Sequence, residues 1–153
     1  MTQVVELEIP ARPEFVGIAR MAVSALAGIR PGLPYERVDD LRIVVSEACT
    51  SAIEAALAHG SDGARVLVRC LDSPEVLEVC IDGGAGAFDP AIAETDPSGD
   101  DFGFRISLIQ ALVDEAEVRP SHGGTELRLV LRRDAGADDA LDGEPGDDAD
   151  LPV

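Results

Sequence analysis

Four polar residues fall at helical spacing within one segment of the chain and could hold a reactive oxygen in place. Intervals of seven, four and three residues put all of them on one face of a helix. A glutamate held there could act as a general base, and a neighbouring oxygen could bind a metal ion beside a phosphate. A solvated helix surface would show the same spacing, so the spacing alone leaves both interpretations open. The residues are Asp40, Glu47, Ser51 and Glu54.

A glycine-rich segment follows an apolar run and could let a ligand approach the backbone. Asp82 ends the run, and Gly84 and Gly86 come shortly after it. An aspartate at a strand end can accept a hydrogen bond from an exocyclic amine, and glycines leave room for a ligand against the main chain. An ordinary tight turn is the alternative. The segment is not a Rossmann fingerprint, because no helix is predicted to begin at its last glycine.

Two more positions could contribute to a binding site. Gly103 comes just before Phe104 at the start of a short predicted helix, where backbone N–H groups could hold an anion. Thr125 follows Gly124 at the start of the last apolar run. A simple helix start and a hairpin turn explain these two features as well.

The elements that must position these residues follow from the hydrophobic periodicity. Alternating apolar residues predict strands, and apolar residues three and four apart predict helices. The predicted strands are 4–9, 65–71, 76–81, 115–119 and 125–132; the predicted helices are 13–29, 34–59 and 104–113. Helices gathered between antiparallel hairpins predict an α+β fold, a two-layer α/β sandwich with a mixed, mostly antiparallel sheet and the helices on one face.

Length and composition predict one folded domain followed by a tail. With 153 residues, the chain has room for a single domain, which we place at residues 1–133. Residues 134–153 carry eight acidic residues and no cation, so we expect a disordered acidic tail. There is no apolar run of about 20 residues and no basic start leading into an apolar stretch. We therefore expect a cytoplasmic protein that does not bind a membrane.

The charge excludes several classes of function. The formal net charge is −18, and all 12 cations are arginine. Without lysine there is no Walker P-loop and no Schiff-base lysine. The acidic field repels phosphate backbones, which argues against direct nucleic-acid binding and favours a basic protein surface as partner. The cysteines, Cys49, Cys70 and Cys80, form no C-x-x-C pair and are predicted to be buried thiols in a reducing compartment.

Taken in chain order, the four polar and glycine-rich elements resemble the Bergerat-type ATP-binding domain of the histidine-kinase-like ATPase fold. The similarity is to its anti-sigma-factor branch of serine-protein kinases in particular. Val45–Ala52 (V-S-E-A-C-T-S-A) is similar to the family's Glu-Ala-x-x-Asn helix box, and Asp82-x-Gly84-x-Gly86 to its first glycine box. Gly103–Val118 is similar to the second box with its following strand, and Gly124-Thr125 to the last box. The resemblance covers roughly residues 4–133.

The resemblance implies a role for each matched residue. Glu47 would be the general base that activates an incoming hydroxyl or water. Asp82 would bind the adenine amino group, and Thr125 would support the base site. Glycines would let the chain pass the nucleotide and help to hold its phosphates: Gly84, Gly86 and Gly103.

Two departures from the family pattern bear on catalysis. Ser51 stands where the family has an asparagine that holds magnesium, so Ser51 is the predicted metal ligand, with a shorter reach. Arg105 replaces a glycine, which crowds the backbone but brings a cation to the phosphates. The resemblance therefore implies binding of ATP with Mg²⁺ and a serine/threonine protein kinase activity weakened by Ser51 and Arg105.

These observations support two functions of different classes. The first is an anti-sigma factor that binds ATP, sequesters a sigma factor and phosphorylates a serine of an anti-anti-sigma antagonist, working as a homodimer as the resemblance implies. The second is a catalytically dead, nucleotide-free module on the same fold that acts by surface contact alone. A globular domain with accidental motifs is the third interpretation, and the order of the elements disfavours it.

Overall fold

The computed structural model of the chain describes residues 1–60, 63–84, 87–88 and 100–134. Most of the segment between the predicted strand 76–81 and the predicted helix 104–113, at residues 85–86 and 89–99, lies outside the described residues, and so does the predicted tail beyond residue 134. In chain order the elements are β1 (Gln3–Pro10), α1 (Val16–Ala27), α2 (Tyr35–Ala58), β2 (Arg65–Asp72), β3 (Val76–Gly84), α3 (Asp100–Leu112), β4 (Glu115–Ser121) and β5 (Gly124–Arg132), with a short 3-10 turn at Pro13–Phe15.

The described strands form one sheet in the order β1-β2-β3-β5-β4. Every neighbouring pair in it is antiparallel, and β2–β3 and β4–β5 are the hairpins expected from the sequence. The predicted α+β fold is confirmed.

The helices cover one face of the sheet. In β3, Leu77, Val79 and Ile81 are buried, which is the alternation expected of a strand with one covered face. On the helix side, α2 buries an apolar stripe and packs against α1, β3 and α3. The buried residues of α2 include Leu41, Val45, Ala48 and Ala52, as their three-four spacing predicts. The long helix α2 is therefore the element around which the sheet, α1 and α3 are arranged.

The third strand is longer than the sequence predicted. Its predicted end was residue 81, but β5 continues to pair with it, placing Asp82 opposite Glu126 and Gly84 opposite Thr125. The register shifts between Asp82 and Gly84, which is the signature of a bulge or irregularity. Gly84, which we expected after the end of this strand, thus belongs to the sheet.

The third helix begins earlier than expected, at Asp100 rather than at Phe104. Gly103 consequently lies inside the first turn of α3 rather than before it.

The two ends of the described domain meet at one residue. Gln3 of β1 pairs with Asp72 of β2, and Arg133, which follows β5, donates a hydrogen bond to the same Asp72. Arg30 joins them, since it binds Asp72 and the carbonyl oxygen of Met1. Among the described helices, none is long and apolar enough to cross a membrane.

Candidate functional site

One side of α2 carries polar residues toward α3. Glu47, Ser51 and Glu54 follow one another at intervals of four and three residues, so they lie in one row along the helix. Ser51 is buried, with 8% of its surface exposed. Asp40 is on the same face two turns earlier, about 10 Å along the axis from Glu47. The spacing of these residues in the sequence had predicted this row.

Arg105 of α3 places its guanidinium among these residues of α2. Its Nη1 donates to Ser51 Oγ at 3.3 Å. Nη1 and Nη2 donate to the two carboxylate oxygens of Glu54, at 2.7 and 3.2 Å. Its Nε lies 3.4 Å from a carboxylate oxygen of Glu47. A single cation therefore joins α3 to the polar row of α2.

The burial of these groups differs along the row. The Arg105 side chain is 21% exposed and that of Glu47 is 36% exposed, whereas Glu54 is 59% exposed. Water screens the outer pair with Glu54, although its two-pronged geometry is favourable for a guanidinium and a carboxylate. The inner contacts, to Ser51 and Glu47, put a permanent positive charge directly beside the predicted general base.

The end of β3 lies against α2 one residue beyond Ser51. Gly83 is so close to Ala52 that a Cβ atom built on Gly83 would be 2.6 Å from the Ala52 Cβ and equally close to the Ala87 Cβ. Only glycine allows this approach without a shift of the neighbouring backbone. Gly83 was not among the predicted site residues, and it is the residue that brings the strand end next to the polar row.

Thr125 holds the segment that follows β3. It pairs with Gly84 across the sheet, and its hydroxyl donates to the carbonyl oxygen of Ala87. Ala87 and Phe88 are both buried, and Phe88 has a φ of +57°, which is uncommon for a residue with a side chain. Gly84 also has a positive φ, +79°. The predicted residues Gly84 and Thr125 are thus neighbours at this end of the sheet.

Asp82 lies on the opposite face of the sheet from Ser51. Residues alternate along a strand, and Ile81 and Gly83 face the helices, so Asp82 faces away from them. Its Oδ1 accepts a hydrogen bond from the Gly84 N–H at 3.0 Å. It also lines a cavity of about 320 Å³ on the face of the sheet opposite the helices. The structure does not bring Asp82 together with Glu47 and Ser51.

On this face, opposite the helices, the described strands also carry a network of charged side chains. Glu78 of β3 accepts from Arg128 of β5 at 2.8 Å, and Arg119 of β4 binds Glu126 of β5. Hydrogen bonds to these carboxylates raise the pKa of both arginines, so the arginines stay charged. This face therefore presents paired charges.

The remaining predicted site residues are glycines. Gly103 lies in the first turn of α3, two residues before Arg105. Gly86 falls outside the residues that the structure describes.

Cys49, two residues after Glu47, is a buried free thiol, as predicted, and burial raises its pKa to about 12. It is therefore a packing residue of the core.

The oxygen atoms near Arg105 do not fit a magnesium ion as they are arranged. Mg²⁺ requires a nearly octahedral shell of oxygen ligands. Here Ser51 and the carboxylates of Glu47 and Glu54 are all within hydrogen-bond or ion-pair distance of a guanidinium, which has only donors to offer. In the described ranges there is also no group of three or more His, Cys, Asp and Glu side chains that could hold a metal ion.

Comparison with known proteins gives matches over most of the chain. A family profile described as histidine kinase-like ATPase domain matches residues 9–131. A protein named serine-protein kinase RsbW, from Bacillus pumilus (strain SAFR-032), is 38% identical over 133 residues, which cover 79% of this chain and 81% of the relative. The protein of that name from Bacillus subtilis (strain 168) is 34% identical over 136 residues, covering 82% of this chain and 83% of the relative.

A solved structure has the same fold. It is the crystal structure of the RsbU and RsbW domains of Rv1364c from Mycobacterium tuberculosis, with a TM-score of 0.60 and 19% identity over 86% of this chain. The chain spans only 32% of that longer protein. At this identity, the likeness supports the arrangement of sheet and helices described above.

Proposed function

This chain belongs to the histidine kinase-like ATPase family, in the branch of the RsbW serine-protein kinases, and we propose that it is an anti-sigma regulator that binds ATP. The observation that carries the proposal is the contact between α2 and α3, where Arg105 meets Ser51 and Glu47. Beside this contact, Gly83 packs directly on α2. The Arg105 cation suits the phosphates of a nucleotide, and the Glu47 carboxylate beside it could accept a proton.

In the proposed reaction, a protein serine attacks the γ-phosphorus of ATP. The serine oxygen forms the new P–O bond, the bond to the bridging oxygen of the β-phosphate breaks, and ADP leaves. Glu47 accepts the proton of the serine hydroxyl. Catalysis of this kind depends mainly on positioning and charge. Arg105 Nε lies 3.4 Å from one carboxylate oxygen of Glu47, so part of the accepting capacity of this base is taken up by the ion pair, and we expect slow transfer.

The glycines and Thr125 are proposed to surround the nucleotide. Gly103 in the first turn of α3 would leave its backbone N–H open to a phosphate, and Gly84 and Gly86 would let the chain pass the base. Thr125 supports this through its bond to the Ala87 carbonyl. The Asp82 side chain faces away from the helices, so its direction does not support a role in adenine binding. An Asp82→Asn variant tests that role, since unchanged ATP affinity would remove Asp82 from the site.

The proposed partners are a sigma factor, which the protein sequesters, and an anti-anti-sigma antagonist, which it phosphorylates. We propose that it works as a cytoplasmic homodimer. A net charge of −18 supports binding to a sigma factor, because surfaces that contact promoter DNA are basic. Complex formation should weaken as salt rises, and salt-independent binding would argue against this account.

A nucleotide-free regulator on the same fold is the second candidate. Arg105 favours it, since its guanidinium occupies the space between α2 and α3 that phosphates would approach. In that case the protein would hold its partner by surface contact alone, and Glu47 would have no chemical role.

Calorimetric titration with ATP separates the two candidates. The ATP-binding regulator predicts saturable binding in the micromolar to millimolar range for the unmodified chain. A Glu47→Gln variant should bind ATP equally well but lose transfer of the γ-phosphoryl group to candidate antagonist proteins. If millimolar ATP gives no heat and no shift in melting temperature, while a sigma factor still binds, the nucleotide-free candidate is the correct one.

A further inference from the structure

The Arg105 guanidinium lies among oxygen atoms of α2 of the kind that could bind a metal ion. It is bound by one hydroxyl and two carboxylates of α2, all within 2.7–3.4 Å of its nitrogens. Hydroxyl and carboxylate oxygens are the ligands that a divalent cation prefers. Here they surround a cation that belongs to the chain itself.

We propose that the Arg105 guanidinium takes the place of Mg²⁺ in this site, so that the protein binds ATP without a divalent metal. This inference rests on the proposed ATP-binding function, and it identifies the cation that would bind the phosphates of ATP. A guanidinium pairs well with phosphate oxygens because its planar N–H donors match their geometry. It also remains charged at any pH at which the protein is folded.

The electrostatics of the site favour one cation and disfavour a second. Without Arg105, the carboxylates of Glu47 and Glu54 would repel the phosphates of an incoming nucleotide. With Arg105 present, one of these two negative charges is compensated before the nucleotide arrives. A magnesium ion would have to displace the guanidinium from Ser51 and Glu47 and would then remain beside a positive charge.

The anchoring of Arg105 supports a fixed role for it. Its side chain is 21% exposed and its contacts reach residues 47, 51 and 54, which span two turns of α2. Holding an arginine in this way costs side-chain entropy, and surface ion pairs add little stability in return. An arginine without a role would therefore gain nothing from these contacts. Arg105 follows Gly103 by two residues in α3, so the cation lies near the N-terminus of the helix, whose dipole also favours an anion.

The test is calorimetry with a non-hydrolysable ATP analogue, first in excess EDTA and then in excess Mg²⁺, at an ionic strength that screens the net charge of the protein. For the unmodified chain we expect dissociation constants that agree within about threefold in the two buffers. Arg105→Met keeps the length of the side chain and removes its charge. We expect it to weaken binding in EDTA by about 10- to 100-fold, the usual effect of losing a charge-assisted hydrogen bond.

Two more variants complete the experiment. Arg132→Met removes an equal charge at the far end of β5, where the side chain binds the exposed Glu115, and it should leave both constants unchanged. The double variant Ser51→Asn, Arg105→Gly restores the residues that the family resemblance implies. It should bind the analogue weakly in EDTA and at least about tenfold more tightly in Mg²⁺. Melting curves of each variant establish that it is folded.

The possible results separate this inference from the function on which it rests. If the unmodified chain binds the analogue only in Mg²⁺, or if Arg105→Met binds it normally in EDTA, the inference is overturned and ATP binding stands. If the unmodified chain binds the analogue in neither buffer, the proposed ATP-binding function itself fails. If only the double variant binds, Arg105 excludes the nucleotide, and the inference is again overturned.

Discussion

Arg133 and Asp72 form a buried ion pair, in which Nη2 lies 2.6 Å from a carboxylate oxygen and the side chains are 1% and 0% exposed. Arg30 holds the other carboxylate oxygen at 2.7 Å. Arg133 Nη1 also donates to the carbonyl oxygens of Arg30 and Pro31. Buried charges are tolerated when they are paired and hydrogen-bonded in this way. The pair therefore fixes the end of β5 to the connection between α1 and α2.

Loss of this pair should destabilise the domain strongly. In Arg133→Met, the carboxylate of Asp72 stays buried with one partner fewer, and we expect the free energy of unfolding to fall by about 3–5 kcal/mol. Arg132→Met is the matched control, because Arg132 is 62% exposed and pairs with an exposed Glu115. It should change stability by no more than about 0.5 kcal/mol. Urea unfolding measures both, and similar values for the two variants would contradict the prediction.

Because Gly83 packs closely against α2, we expect the addition of one methyl group to Gly83 to destabilise the domain. Gly83→Ala would place its Cβ 2.6 Å from the Ala52 Cβ, and we expect a loss of about 1–3 kcal/mol from overpacking. Ala52→Gly in the same chain should restore part of the loss. In Gly17→Ala the nearest atom is a flexible Arg20 nitrogen at 3.6 Å, so stability should be unchanged or higher. Thermal unfolding of the set provides the comparison, and a neutral Gly83→Ala would mean that β3 does not pack as described.

The hydroxyl of Thr125 should stabilise the segment after β3. Thr125→Val keeps the shape of the side chain but leaves the Ala87 carbonyl without this donor. We expect a loss of about 1 kcal/mol in stability, together with weaker ATP binding if the segment lines the nucleotide site. Thr125→Ser, which retains the hydroxyl, should lose less. Equal stabilities for the valine and serine variants would show that the hydrogen bond contributes nothing.

The buried thiols should make the domain less stable at alkaline pH. Burial raises the pKa of Cys49 and of Cys70 from 9.0 to about 12. Above pH 9 the unfolded chain therefore releases these protons while the folded chain keeps them, and the free energy of unfolding falls as pH rises toward 12. At pH 10 the loss should be about 1 kcal/mol for each thiol. Urea unfolding at pH 8 and pH 10 tests this, and Cys49→Ala should show a smaller fall than the unmodified chain.

Hydrophobic periodicity was sufficient to predict the architecture. The alternation of Leu77, Val79 and Ile81 and the stripe on α2 are local patterns, and each reflects one covered face of its element. The ends of elements were harder to predict. The strand β3 continues to Gly84 because β5 pairs with it there, and such a partner is not visible in the local sequence.

For the candidate site, too, local sequence patterns predicted one part and not the other. The row that contains Glu47 and Ser51 follows from helical spacing, but the bond from Arg105 joins residues more than fifty positions apart and depends on how α3 packs. The position of Gly83 could have been anticipated. Extending the alternation of Ile81 by two residues places Gly83 on the covered face and Asp82 on the other, provided that the strand continues.

The meeting of both ends of the described domain at Asp72 has a mechanical consequence. Gln3 and Arg133 lie at the same end of the sheet, beside Asp72. A force applied between residues 1 and 134 would therefore act at that end and perpendicular to the strands. Such a load separates β1 from β2 one hydrogen bond at a time instead of shearing them all at once. The ion pairs of Asp72 would carry the load first, and once they broke, the edge strand would peel away at low force. The helices and the Arg105 contact on α2 would feel that load only after β1 had been lost.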